Sequence, residues 1–363
     1  MRFELQRREE HSRIMMLVSP LLAVGLMLIT GGLIFASLGI NPAQGLFVYF
    51  LEPLLSAWSL QELVVKATPL ILIGVGLSIC YRSNTWNIGA EGQFVAGALA
   101  GSFIPIILHG WEGPFVFPAM VVAGMLGGAL WALVPALLKV RFGANEILTS
   151  LLLVYVIQFL LDWLVRGPWR DPDGYNFPES RLFADDAITP LMVEGGRMHI
   201  GFAFAIIVAL VAAFYISKTL HGFQVQVIGQ SPRAARFAGF SQNKMVYFVF
   251  AISGALAGLA GILEVAGPIG QLIPVISPGY GFTAIIVAFL GRLNPIGVFI
   301  AGFVLALSYL GGEAAQVSLG MSDKISRVFQ GLLLFYVLAC DTFILYRLRW
   351  VVTPNTSNKA EAG

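Results

Sequence analysis

An all-α membrane protein of about ten transmembrane helices is the fold class this sequence predicts, and three observations predict it. Charged residues occupy only 12% of the 363 positions, half of the roughly 25% carried by soluble domains. Hydrophobic residues make up 57%, the mean hydropathy is +0.81, and the apolar residues gather into stretches near the ~20 residues a bilayer crossing needs. Glycine, at 40 of 363, exceeds its usual ~7%, as expected where helices pack closely through small residues in lipid. The net charge of +2 says nothing about nucleic acid, and with no clustered basic stripe or RNA-binding motif no nucleic-acid partner is expected. Cys80 and Cys340 lie in apolar segments, and His11, His109, His199 and His221 are scattered, so neither a disulfide framework nor a metal site is expected. No cofactor is implied.

The elements follow in order. Residues 1–13 carry Arg2, Arg7, Arg8 and Arg13 and read as a cytoplasmic start. Residues 14–38 form the first span; it is longer than the 7–15 apolar residues of a signal peptide, so it is expected to be retained. Residues 41–61 are semi-polar and aromatic, which suits a membrane interface. Further spans are expected at 63–81, 88–108, 115–138, 147–165, 200–217, 245–266, 279–291, 295–312 and 325–346. Together they make a transmembrane domain over 14–346. The weakest is 279–291, only ~20 Å long as a helix.

Lysine and arginine in the connections orient the chain. Arg82, Lys139, Arg141, Lys218, Arg233, Arg236, Lys244 and Arg292 fall on the side of the N-terminus, as do Arg347 and Arg349 of the tail 347–363. That side is therefore cytoplasmic, and both termini lie there. The long connection 166–199 is extracytoplasmic; its four arginines depart mildly from the rule. The small, polar end 353–363 reads as disordered.

Three polar breaks interrupt this pattern. In 267–281, Pro268, Pro274 and Pro278 together with several glycines forbid a continuous helix. Irregular backbone at membrane depth needs protein or a water-filled cavity around it, so this stretch reads as a broken or re-entrant segment, with a plain outer loop as the alternative. Asn84 to Gln93 is the second break. The third, within a cytoplasmic region spanning 218–244, is Gly-Gln-Ser-Pro-Arg-Ala-Ala-Arg-Phe-Ala-Gly over 229–239. Ser231 suits an N-cap, Pro232 the first helical position, and Gly239 the stop. Arg233, Ala234, Ala235, Arg236, Phe237 and Ala238 then form a helix of about two turns. So short a helix is not stable alone and must be held at both ends.

Catalytic patterns are missing. No Gly is followed by Lys, so there is no phosphate-binding loop of the G-x-x-x-x-G-K-[ST] kind, and neither H-E-x-x-H nor G-x-S-x-G occurs. No catalytic residue is assigned, and ATP hydrolysis is expected in another subunit. Ionisable groups in the spans are sparse: Glu91, Glu146, Asp162, Glu264, Glu313 and Asp341. Glu91 reads either as a helix-start cap beside Asn84 and Asn87 or as a polar element of a transport path. Glu146, after Asn145, repeats that pattern. Glu264 reads as snorkelling or wall-lining. Asn87, Glu91, Gln93, Glu264, Gln271 and Tyr280 are the pathway candidates.

Several stretches together resemble the permease subunits of ABC importers in the simple-sugar, nucleoside and branched-chain amino acid group. Asn-Ile-Gly-Ala-Glu-Gly-Gln over 87–93 is similar to that group's segment at the third span. Gly-Ala-Asn-Glu over 143–146, Arg-Gly-Pro-Trp-Arg-Asp-Pro over 166–172 and Asn-Phe-Pro over 176–178 resemble its longer nucleoside-type permease. The run 229–239 resembles its cytoplasmic coupling segment, and Leu-Gly-Arg-Leu-Asn-Pro-Ile-Gly over 290–297 its turn before the penultimate span, although the group often has Gly where Arg292 stands. The resemblance implies a type II-like importer fold and a place in a bacterial inner membrane. It implies as partners cytoplasmic ATP-binding subunits, a second and non-identical permease subunit and an extracytoplasmic solute-binding protein. The solute it implies is first a nucleoside, then a simple sugar, then a branched-chain amino acid. In this reading Arg233 and Arg236 contact the ATPase, the alanines permit close approach, and Phe237 anchors the helix on its own membrane domain. The rivals are a stand-alone secondary carrier or facilitator and a membrane enzyme.

Overall fold

The computed structural model describes residues 2–7, 13–108, 110–322 and 324–351. Thirteen α-helices run along the described chain. They are α1 (Arg13–Ser37), α2 (Pro42–Leu46), α3 (Ala57–Arg82), α4 (Ala90–Ile107), α5 (Val116–Phe142), α6 (Glu146–Arg166) and α7 (Gly201–Lys218). There follow α8 (Leu220–Gln230), α9 (Pro232–Phe237), α10 (Gln242–Glu264), α11 (Tyr280–Leu290), α12 (Pro295–Leu319) and α13 (Lys324–Leu345). Each of the ten expected spans falls on one of these helices, and seven of them are long and apolar enough to cross a bilayer. Two run further than expected: α3 begins at Ala57 and α12 ends at Leu319.

Local chemistry sets many of the boundaries. Gly143 turns α5 off at φ +67, and Asn145 then accepts from the N–H groups of Ile147 and Leu148 to start α6. Glu146 sits in that first turn and pairs with Lys139 across the turn. Asn294 and Pro295 open α12, and Ser241 caps α10.

The chain divides into two compact units. In the first, formed by the ends of the chain up to Leu46 and from Arg327, the Thr30 and Tyr336 hydroxyls lie 2.6 Å apart and the Phe35 and Phe329 rings pack at 5.6 Å. Two strands not foreseen from the sequence, β1 (Arg2–Arg7) and β2 (Tyr346–Val351), pair antiparallel there. The disorder expected over 353–363 lies outside the described residues.

The second unit, from Phe47 to Ser326, holds the helical core. Every residue of α3 from Ala67 to Tyr81 is buried, with α7, α10, α11 and α12 around it. Across from it, α10 crosses α5 and α4 through glycines: a Cβ on Gly258 would collide with the Gly124 carbonyl, and one on Gly128 with the Gly254 carbonyl. Spaced four apart on both helices, these glycines let the two backbones touch.

The expected break after α10 is present. A π-turn (Val265–Ile269) ends the helix, ten non-helical residues follow, and α11 has only 11 residues. At 1.5 Å per residue α11 covers about half of a ~30 Å hydrocarbon layer. The connection 166–199 is strapped onto this break: Thr189 N–H donates to the Ala266 carbonyl (2.8 Å), Phe183 N–H to Gly270 (2.9 Å) and Ser180 N–H to Leu272 (2.9 Å). At the far end of the strap, Arg197 N–H donates to Gln61 at the start of α3 (2.8 Å), and its side chain pairs with Glu62 (2.5 Å).

Candidate functional site

Two places collect the residues singled out by sequence. One is the joint where α4 and α11 begin. The first turns of the two helices meet backbone to backbone: a Cβ on Gly281 would overlap the Glu91 amide and Cα. Glu91, 2% exposed, accepts from the Gly281 N–H through Oε2 at 2.6 Å. Ser277 Oγ accepts from Gly279 and Tyr280, each at 3.0 Å. Each helix start carries roughly half a positive charge, so the joint gives a buried carboxylate two favourable ends to face. Glu91 thus caps the start of α11, whereas in its own helix it lies in the first turn and no side chain caps the Gly89 start.

Asn87 and Gln93 pair with each other. Asn87 Nδ2 donates to Gln93 Oε1 (2.8 Å) and Gln93 Nε2 to Asn87 Oδ1 (2.9 Å), while Asn87 also reaches Ser253 Oγ on α10 (3.1 Å). Both side chains are buried, 0% and 1% exposed, and the amides satisfy one another as buried polar groups must. Tyr280, on α11, is buried against the rings of Phe94 (6.2 Å) and Tyr309 (5.5 Å). Glu264 closes α10 with the Tyr280 hydroxyl, Lys66, Glu62 and Arg197 as its polar neighbours. Gln271, in the break itself, instead turns to the strap, donating to Glu179 at 2.9 Å. The structure therefore brings Glu91, Tyr280 and Glu264 to the start of α11 and sets Gln271 apart.

Lys66 was missed by sequence reasoning. It lies inside α3, and its Nζ pairs with Glu313 of α12 at 2.8 Å. A single lysine in an apolar window was the available signal. His199 was set aside as a scattered histidine, yet it is 3% exposed in the strap with its ring against Gly267. Its Nδ1 accepts from Gly201 N–H at 3.2 Å, which fixes the neutral ring. Burial, with Arg197 adding to it, brings its pKa down to about 4.

The second place is α9. Pro232 occupies the first helical position, and Gly239 leaves the helix at φ +78. Ser231 stands at the N-cap without a side-chain capping bond, contrary to expectation, because its own backbone is bent out of the extended form to φ −146, ψ 84. The expected facing is also corrected. Ala235 is the buried residue, 2% exposed, whereas Phe237 is 96% exposed and does not pack on the membrane domain among the described residues. Arg233, Ala234, Arg236 and Ala238 are exposed as well.

This short helix rides on α8, which is seated by glycines. A Cβ on Gly229 would overlap the Arg82 carbonyl at the end of α3, and one on Gly222 the Tyr215 carbonyl of α7. The same end of α3 is tied to the α11–α12 turn by Arg82 Nε donating to the Leu293 carbonyl at 2.7 Å. In that turn Arg292 has φ +53, a conformation glycine adopts more readily.

Residues 59–338 match the family described as branched-chain amino acid transport system / permease component. The glucose ABC transporter permease protein of Haloferax volcanii is 36% identical over 91% of the chain and 89% of its own length. The nucleoside ABC transporter permease protein of Lactococcus lactis subsp. cremoris is 25% identical over 88% and 89%. The guanosine ABC transporter permease protein of Bacillus subtilis is 26% identical over 94% and 97%.

Proposed function

Since the chain belongs to the branched-chain amino acid transport system / permease component family, we propose that it forms the solute path of an ATP-driven importer and is driven through α9. Its work is mechanical rather than catalytic, with hydrolysis in separate cytoplasmic ATP-binding subunits. A second permease subunit and an extracytoplasmic solute-binding protein complete the assembly. The termini and α9 lie on the cytoplasmic side of the cell membrane, and the strap 166–199 lies outside.

The observation that carries this reading is the exposed ring of Phe237 on a helix whose neighbour α8 is seated directly on backbone. A bare aromatic side chain on a rigid mount is a docking anchor for another protein. Arg233 and Arg236 flank it, exposed for contact with the ATPase.

The solute is small, polar and uncharged. Sugar and nucleoside permeases both stand among the relatives; the resemblance put a nucleoside first, and the higher identity of the glucose permease is what supports a simple sugar instead. Glu91, Tyr280 and Glu264 stand where α11 begins and border the path. Asn87 and Gln93, each satisfied by the other, serve as the joint's fastening.

The test is uptake of labelled glucose and guanosine by cells carrying the complete transporter. Phe237→Ala should abolish uptake and the co-purification of the ATPase, with the chain still present in the membrane at wild-type amounts. Normal uptake in that variant, or accumulation of solute by the purified chain alone, overturns the proposal.

A further inference from the structure

Beside the α4–α11 joint a cleft of about 290 Å3 opens between α4, α6 and the non-helical segment leading into α11. Three separate elements supply its polar groups. Glu91 comes from α4, Ser277 from the segment, and Gln158 and Asp162 from α6. Gln158 and Asp162 are four residues apart and so share one face of the helix.

Gln158 is the informative residue. It sits on the exposed side of an apolar span and makes no side-chain hydrogen bond among the described residues. An amide on a membrane helix needs a polar partner, and the cleft is where one would be supplied. Beside it Phe159 and Val275, 73% and 72% exposed, leave an apolar rim at the cleft mouth.

Resting on the importer reading above, we infer that this cleft is a solute subsite for a neutral, hydroxyl-rich molecule the size of a monosaccharide or nucleoside, and that Gln158 reads it. The chemistry selects the class. The Glu91 and Asp162 carboxylates offer acceptors to hydroxyl donors, and Gln158 offers both a donor and an acceptor. Asp162 already receives Arg166 Nε at 2.8 Å, and Glu91 Oε2 receives Gly281, so both carboxylates are held in place. No basic side chain lines the cleft, so a phosphate finds no counter-charge there and phosphorylated sugars and nucleotides are disfavoured. The volume stands at the lower end of the roughly 300–1,000 Å3 of small-molecule sites, which excludes an oligosaccharide. The Phe159 ring offers a flat apolar face to a base or a sugar ring.

The experiment uses cells with the whole transporter and labelled glucose and guanosine as probes. Gln158→Leu, apolar and suited to a lipid-facing position, should lower uptake of the carried probe at least tenfold with wild-type amounts of protein in the membrane. Gln158→Cys, in a chain whose native cysteines are both buried, should react with a methanethiosulfonate reagent. Saturating unlabelled probe should slow that reaction at least fivefold, a protection that a merely structural glutamine would not show. Wild-type uptake by Gln158→Leu, or labelling at one rate with and without probe, overturns the subsite. A wild type that carries neither probe overturns the solute class. Uptake that persists without the ATP-binding subunits sinks the importer reading instead, so the two failures are told apart.

Discussion

The joint at Glu91 and the knob at α9 are both short polar interruptions of apolar sequence, yet the chain treats them oppositely. At the joint, two helix starts meet so closely that Gly281 admits no side chain, and the Asn87 and Gln93 amides satisfy each other. On α9 only Ala235 is buried, and a phenylalanine stands free. The difference teaches where each region finds its partners. The two helix starts of the joint are tied to each other within the chain, so damage to that tie should read out first as lost stability. On the proposed reading the knob docks on another subunit, so damage there should read out as lost coupling.

The sharpest way to break this contrast is Gly281→Val. The new side chain meets the Glu91 backbone rather than a movable tip. The loss should exceed the ~1–3 kcal/mol typical of overpacking and remove folded protein from the membrane, as read by a detergent melting assay. Glu91→Ala should follow, destabilising by about 3 kcal/mol through an unpaired Gly281 N–H and two uncompensated helix starts. Glu91→Gln, which keeps an acceptor oxygen, should recover about half of that. A melt of Glu91→Ala matching wild type would remove the carboxylate from any structural role.

The strap responds to acid. Unfolded His199 takes up its proton near 6.5, but the folded residue only near 4. The unfolded chain therefore binds more protons between those values, and stability is full above 6.5, falls as the pH is lowered and levels off below about 4. At pH 4.5 the expected loss is about 2.5 kcal/mol, and His199→Phe should flatten that part of the melting-temperature profile. The smallest stability change belongs to Phe237→Ala, within ~0.5 kcal/mol as for other exposed positions, although it should abolish uptake. A large drop in its melting temperature would mean that the ring packs on its own chain after all.

Much of the architecture was legible in the sequence because hydropathy and capping are local. Apolar length marked the spans, the prolines and glycines of 267–281 marked the break, and Ser-Pro at 231–232 marked the start of α9. The rest depended on tertiary facts. Six residues of α9 do not determine which face docks, so the roles of Ala235 and Phe237 came out reversed. Hydropathy averaged over a window hides one lysine or one glutamine, which is how Lys66 and Gln158 passed unnoticed. That Glu91 would cap a helix beginning 190 residues later has no trace in local spacing, and neither does the pairing of β1 with β2.

The seating of Gly229 on the Arg82 carbonyl leaves no slack between α8 and α3. If α9 is driven as proposed, a push on α8 has no room to be absorbed there and would pass into α3, a helix of 26 residues and about 39 Å. Its other end carries Gln61 and Glu62, the residues that grip Arg197. The seat of α8 and the clasp on Arg197 are thus the two ends of one continuous helix, so a displacement of the first is carried to the second by α3 itself.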